Sequence, residues 1–414
     1  MLNLPGGMSM PESPYAMLSV DAALRLVLTH APRLAPVRLP LHALAGRVLA
    51  QEIISTEALP PFAAAAKDGY AVLAADGPGW RRLVGEQLAG YMADVQVTPG
   101  CVVRITTGAP LPPGADAVVM IEQTQERDGL VEIQAAVPPL ADVRPAGIDL
   151  AVGQQVLGAG QRLGPAELGL LASLGYDEAW VFPAPRVAVL STGDELCEPG
   201  QALAPGQIRD SNRVSLMAAV AEAGGEAFDL GIARDRPGEL ETRVRAGLQV
   251  ADALVTSGGV SMGQLDLLKP LLAMQGTVHF GRVNMKPGKP LTFATLADKP
   301  VFALPGFPVS SLVAFELFVR PALLHMQGRA GLTRAEVQVR LAHAVHHDPQ
   351  RWEFVRAVVR RNGAELVATT TGSQSSGRLL SMVGANALLR LEPGAAELPA
   401  GARATALWLS NDFP

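Results

Sequence analysis

Apolar residues recur at helical spacing through residues 18–30 (LSVDAALRLVLTH), which predicts an amphipathic helix with Ser19 as its cap. From about 54 to 146 the pattern shortens. β-like runs such as VVRIT and AVVMIE alternate with Pro/Gly turns, predicting a small β-rich domain. Residues 165–174 (PAELGLLASL) return to helix, with proline in the first turn. From about 180, four apolar runs each enter a polar or glycine-rich turn: RVAVLSTGDE, EAFDLGIARD, ALVTSGGVSMG and VFALPGFPVS. Helices are predicted between and after them, over 213–223, 238–248 and 309–325. This alternation predicts a right-handed, mostly parallel α/β sheet, whose ligands sit beyond the carboxyl ends of the strands, where all four turns emerge. After about 330, VQVRLAHAV, WEFVRAVVR, ELVATTT, ALLRLEP and ATALWL predict a terminal β-barrel or sandwich. No internal repeat or low-complexity linker interrupts the chain, so the domains are expected to pack together.

Composition narrows the function classes. A chain of 414 residues with 49% hydrophobic content can bury cores for two to four domains. The net charge of −5 points to neither nucleic acid nor an anionic membrane, so any positive field must be local. Two cysteines, Cys101 and Cys197, make no disulfide framework and no thiolate zinc site. The N-terminus lacks the order of a signal peptide, and the apolar stretch 309–319 contains Glu316 and reads as too short for a bilayer. A cytoplasmic protein is expected, with no membrane partner.

Several loops could carry chemistry. SGGVSMG (257–263) offers Ser257, Gly258, Gly259 and Ser261 at a strand end, where amide groups can cradle a phosphate or other oxyanion; the plain alternative is a glycine-rich turn before a helix. Asp266, just beyond, suits a magnesium ion shared with substrate phosphates, or else caps the following helix. MKPGKP (285–290) holds Lys286 and Lys289 in a proline-stiffened turn, an arrangement that favours an anion between them, although a solvated basic turn is the commoner case. PGFP (305–308) opens a helix and sets Ser310 and Ser311 near its start, while STGDE (191–195) ends a strand with Asp194 and Glu195. HAVHH (343–347) lies in strand-like text without a metal-ligand motif, and surface or edge-strand histidines are expected.

Taken together the loops are more specific. KDGYAV (67–72), TTGAPLPPGADAVV (106–119), STGDEL (191–196), IRDSNR (208–213), TSGGVSMG (256–263), HFGRVNMKPGKP (279–290), ALPGFPVSS (303–311) and SQSSGRLLSMVGANALL (373–389) occur in this order. The chain thereby resembles the molybdopterin molybdenumtransferase family, of MoeA and gephyrin E-domain type, from about residue 18 to its end. The resemblance implies an elongated α/β plus β fold in four parts: a discontinuous domain (16–53 plus 147–179), a β-rich insert (54–146), an α/β molybdopterin-binding domain (180–329) and a C-terminal β-barrel (330–414). It also implies a homodimer.

The implied reaction takes adenylylated molybdopterin and molybdate. Magnesium promotes cleavage of the pyrophosphate link, AMP leaves, and the dithiolene takes molybdenum. Asp266 matches the family's metal-binding carboxylate. Lys286, Lys289, Pro305, Pro308, Ser310, Arg356 and Ser376 match positions that hold the pterin phosphate or molybdate. Asp149, Glu195 and Asp235 match further acidic positions, and Thr107 a hydroxyl in the insert. The upstream partner implied is a molybdopterin adenylyltransferase. The chain departs from the family pattern at Ala63, Ala65, Gln264, Phe307 (in PGFP for PGNP) and Gly377. Two alternatives stand beside the insertase: a molybdopterin adenylyltransferase, which the extra β domains argue against, and a non-catalytic molybdopterin-binding scaffold, which Phe307 favours.

Overall fold

The computed structural model describes residues 15–236, 238–259 and 267–410. The chain divides into two compact units, one of residues 1–38, 46–50 and 180–414, the other of residues 39–45 and 51–179.

The second unit is built on a six-stranded sheet in the order Ala117–Met120, Gly69–Val72, Cys101–Ile105, Gly79–Gln87, Leu130–Ile133, Thr124–Arg127. Alternation along its strands sends Ala71, Val103, Ile105 and Val118 into one buried cluster and Tyr70, Val72, Val102 and Val119 into another. Gly69 has a steric reason to be glycine. A Cβ there would lie 1.9 Å from the Val119 carbonyl oxygen across the ladder. The predicted helix at 165–174 forms as Pro165–Ser173, with the Glu167 side chain accepting from the Gly164 amide at 2.8 Å.

In the first unit, helix Val20–His30 forms as the spacing predicts, and Ser19 Oγ accepts from the Ala22 amide at 3.2 Å. The four apolar runs after 180 become four parallel strands, ordered Glu226–Ala233, Arg186–Thr192, Ala253–Ser257, Lys299–Leu304. Their near-continuous apolar text has a physical cause, because both faces of the sheet are covered. Val187 and Val189 face one core together with Val255, Phe302 and Leu304, while Ala188 and Leu190 face the other with Leu254, Val301 and Ala303. The sheet then continues with two strands the pattern did not single out, Thr292–Leu296 and Thr277–Phe280, each antiparallel to its neighbour. The predicted helices are observed at Asn212–Glu222 and Glu239–Val250.

The third predicted helix runs from Pro308 to Met326, 19 residues, and includes a π-helical turn at Phe315–Val319. By length and composition it could cross a membrane, which corrects the reading of this stretch as too short; 72% of its apolar window is buried inside the protein. The C-terminal runs close into a barrel. Glu336–Leu341, Glu365–Thr370, Trp352–Asn362, Ala387–Leu391 and Arg403–Trp408 pair in a cycle around a core that includes Val355, Ala357, Leu389 and Trp408. Both cysteines are free and buried.

Candidate active site

The carboxyl ends of the parallel strands carry most of the predicted residues. The strand Arg186–Thr192 leads into Gly193, Asp194 and Glu195, and the strand Glu226–Ala233 leads into Arg234 and Asp235. Arg234 fixes the first loop by donating from Nη1 to the carbonyls of Leu196 (2.8 Å), Asp194 (3.0 Å) and Gly193 (3.4 Å). The Asp235 amide donates to Asp194 Oδ1 at 3.3 Å. Partial burial, followed by the charges of Asp194 and Glu195, pushes the Asp235 carboxyl above its ordinary value. Three carboxylates therefore share one corner, with a local excess of negative charge.

The strand Ala253–Ser257 ends at buried Ser257, followed by Gly258 and Gly259. Gly258 adopts φ +91°, and a Cβ there would come within 2.6 Å of the Thr192 carbonyl oxygen. Its amide donates to the Leu304 carbonyl at 3.1 Å, binding the glycine turn to the last parallel strand. Asn212, in the first turn of its helix, donates from Nδ2 to Ser257 Oγ and to the Gly306 carbonyl, each at 2.7 Å. Behind it lies a buried charged group: Arg213 Nε meets Asp210 Oδ2 at 2.9 Å, and the same guanidinium pairs with Asp229 and Glu198. Ser191 Oγ donates to Asp210 at 2.9 Å.

A cationic corner forms where the barrel meets the start of the long helix. Pro305 and Pro308 frame the turn, Ser310 is buried, and the Val309 amide donates to the Ser376 carbonyl at 3.1 Å. Arg356 is 0% exposed. Its guanidinium reaches only uncharged acceptors: Ser381 Oγ at 3.2 Å and the carbonyls of Phe354 and Ser375 at 3.4 Å. Burial brings its pKa down to about 10, opposed by the charge of Glu353. A Cβ on Gly288 would stand 3.6 Å from the Ser310 carbonyl oxygen, so the MKPGKP turn lies against the same helix start. Within that turn Lys286 Nζ sits 3.1 and 3.2 Å from the two oxygens of buried Glu353. The repulsion argument applied to Lys286 and Lys289 was thus incomplete, since one of them already has a buried counter-ion. Lys289 itself is exposed.

Phe307 stands 63% exposed beside the cationic corner, and its ring lies 3.5 Å from where a Cβ on Gly377 would be. Two departures from the family pattern are therefore neighbours in space.

In the other unit, Asp68 Oδ1 accepts from both the amide (2.6 Å) and the hydroxyl (2.9 Å) of Thr107. These two donors hold the Asp68 carboxyl below its ordinary range. Asp149 is paired with Arg144. Ser261 and Asp266 lie outside the described residues. Of the histidines in HAVHH, His343 meets Thr370 Oγ1 at 2.9 Å, His346 meets Glu397 Oε2 at 2.9 Å, and His347 is buried.

Asp68, Asn212 and Glu353 carry no role in the sequence reading. KDGYAV and IRDSNR were noticed as motifs, and the acid preceding glycine in the first and the amide opening a helix in the second were the available signals. Nothing in the sequence pointed to Glu353.

Family models match almost the whole chain: the MoeA N-terminal region (domains I and II) over residues 18–175, a probable molybdopterin binding domain over 188–325, and the MoeA C-terminal region (domain IV) over 338–409. A molybdopterin molybdenumtransferase from Nostoc is 36% identical over 94% of each chain. The chain belongs to the molybdopterin molybdenumtransferase family. A MoeA protein of known structure from Pyrococcus horikosii superimposes with a TM-score of 0.84 at 32% identity, covering 96% of this chain and 100% of that one. Gephyrin from Dictyostelium discoideum is 37% identical over 97% of the chain, which spans 64% of gephyrin's length. Family membership places the chain in molybdenum cofactor biosynthesis.

Proposed function

We propose that this member inserts molybdate into adenylylated molybdopterin, cleaving the pyrophosphate link and releasing AMP. The observation that carries the reading is the charge arrangement at one unit's loops: three carboxylates at Asp194, Glu195 and Asp235, with a separate cationic corner around Lys286 and Arg356. Hydrolysis of a pyrophosphate link needs a carboxylate for the water proton, while an oxyanion substrate needs fixed positive charge and hydrogen-bond donors.

In this reading Lys286, Lys289, Arg356, Ser310 and Ser376 hold the pterin phosphate or molybdate, and the amides of Gly258 and Gly259, with Ser257 and Ser261, support a phosphate. Water attacks phosphorus, the P–O bond of the pyrophosphate breaks, and AMP departs as the leaving group. Asp235 is the carboxylate suited to accept the water proton, because burial and its acidic neighbours increase its affinity for a proton. Thr107 and Asp149 contribute further polar contacts.

Among the described residues no group of three or more His, Cys, Asp or Glu forms a ready-made metal cage. Magnesium commonly takes one or two carboxylates and completes its shell with water and phosphate oxygens, so the acidic corner fits it. Asp266, Glu195 and Asp235 are the proposed ligands. When bound, the ion supplies positive charge to the pyrophosphate oxygens. The reading extends to a cytoplasmic homodimer fed by a molybdopterin adenylyltransferase.

The test is AMP release from adenylylated molybdopterin by the purified protein with magnesium, with and without molybdate. Molybdate-dependent release, lost in Asp266→Ala, is the expected result. Nucleotide that stays bound and uncleaved under both conditions overturns the reading and favours a binding role.

A further inference from the structure

We propose that Glu353 is a positioning residue for the oxyanion site: a buried counter-ion, built into the barrel, that holds Lys286 ready for an incoming anion. The proposal rests on the reading of Lys286 as an oxyanion-binding residue.

The geometry starts from strand pairing. Met285–Lys286 runs parallel to Trp352–Asn362, with Lys286 opposite Glu353. Glu353 is 3% exposed, yet its carboxylate is fully engaged. Its oxygens lie 3.1 and 3.2 Å from Lys286 Nζ, and Oε2 also accepts from the Asp348 amide at 2.7 Å. The Lys286 side chain is 40% exposed. One end of the pair is therefore locked inside the protein, while the ammonium remains open to solvent and able to donate to a ligand.

A lysine side chain normally loses considerable rotamer freedom when it is fixed on a ligand. Here that freedom is already removed by a carboxylate that cannot itself move. Two other charged groups bear on the corner. The Asp348 carboxylate is engaged by Arg351 and feels the Lys286 charge. Arg356 has only neutral hydrogen-bond partners, and Glu353 is the acidic charge that opposes the lowering of its pKa by burial. One carboxylate thus serves two cations. A substrate oxyanion arriving at Lys286 and Arg356 meets cations that are held in place but are not consumed by a pair of dedicated counter-ions.

The experiment uses the full chain as wild type, E353Q, E353D and K286M, each checked by thermal melting. Glutamine keeps the shape and can still accept from the Asp348 amide, while aspartate keeps the charge. First, Lys286 is labelled with an amine-reactive ester without substrate, with exposed Lys289 as internal reference. Lys286 in E353Q should react about threefold or more faster relative to Lys289, returning toward wild type in E353D. An unchanged ratio overturns the proposal.

Second, the molybdate concentration that half-saturates AMP release is measured. E353Q should raise it about three- to tenfold, with kcat changed by no more than about twofold. In the K286M background E353Q should add little. Equal, additive losses in both backgrounds would show a merely structural role. A lower half-saturating concentration would show that Glu353 chiefly repels the anion, and either result overturns positioning. If wild type releases no AMP, the functional reading fails while the labelling ratio still decides whether Glu353 holds Lys286.

Discussion

Asn212 and Ser257, 45 residues apart in sequence, are joined by a 2.7 Å hydrogen bond from Nδ2 to Oγ, and the same nitrogen reaches the Gly306 carbonyl. One amide therefore ties the turns that follow two neighbouring parallel strands. Asn212→Ala should leave both acceptors without this donor and cost about 1–3 kcal/mol in urea denaturation. The rate of AMP release should fall as well, because both turns lose their common fixed point. A denaturation midpoint equal to that of the wild type would mean that the tie contributes nothing.

Arg213 supports that arrangement from beneath. Its guanidinium is buried with Asp210, which is 2% exposed, and also engages Asp229 and Glu198. Arg213→Met removes the positive charge and leaves Asp210 buried without its ionic partner. A loss of about 3–5 kcal/mol is expected in equilibrium unfolding. Asp210→Asn combined with Arg213→Met should recover part of it, since the second change removes the stranded charge.

Asp235 gives stability a pH signature. Its folded pKa is raised by burial and by Asp194 and Glu195, so the folded protein holds this proton more tightly than the unfolded chain. That contribution is present below the ordinary value of 3.8 and is lost as the pH rises through the raised one. Ionised Asp235 is then unfavourable near neutrality. With a chelator present, Asp235→Asn should melt higher than wild type around pH 7, and the gap should close toward about pH 4. A gap independent of pH would rule out the carboxylate charge as its source. Added magnesium should narrow the gap by stabilising the wild type.

Phe307 is a separable case, because its ring is largely exposed. Phe307→Asn should change unfolding free energy by less than about 0.5 kcal/mol. If the aromatic ring shapes ligand choice, the ratio of half-saturating molybdate to tungstate should shift in the same variant, and Gly377→Ser should modify that shift because the two positions touch. An unchanged ratio in both variants would make Phe307 a surface residue without a part in selection.

The α/β core was legible because its physics is local. Val187, Val189, Ala188 and Leu190 alternate between two cores, so the strand reads as an unbroken apolar run ending at a polar turn. The barrel strands were legible for the related reason of period-two alternation. The edge strands Thr277–Phe280 and Thr292–Leu296 were not, since they are short and their antiparallel pairing depends on a partner elsewhere in the chain. Lys286 could be picked out from its proline-rich turn. Its counter-ion could not, because Glu353 lies 67 residues away and only strand register brings the two together. Asp68 was hidden in another way: an exposed acid in a turn looks ordinary until both donors of Thr107 are seen on one of its oxygens.

The π-helical turn at Phe315–Val319 has a consequence for how this helix tolerates insertions and deletions. A π turn accommodates one residue more than a regular α-helical turn. Removing one residue there would restore an ordinary α-helix and rotate everything after it by about 100°. Pro321, Leu323, Leu324 and Met326, now buried, would then be re-aimed together. The widened turn therefore acts as a phase-setting joint, and loss of a single residue within it would scramble the fit of the helix's second half while leaving its first half, and the serine-bearing start, in register.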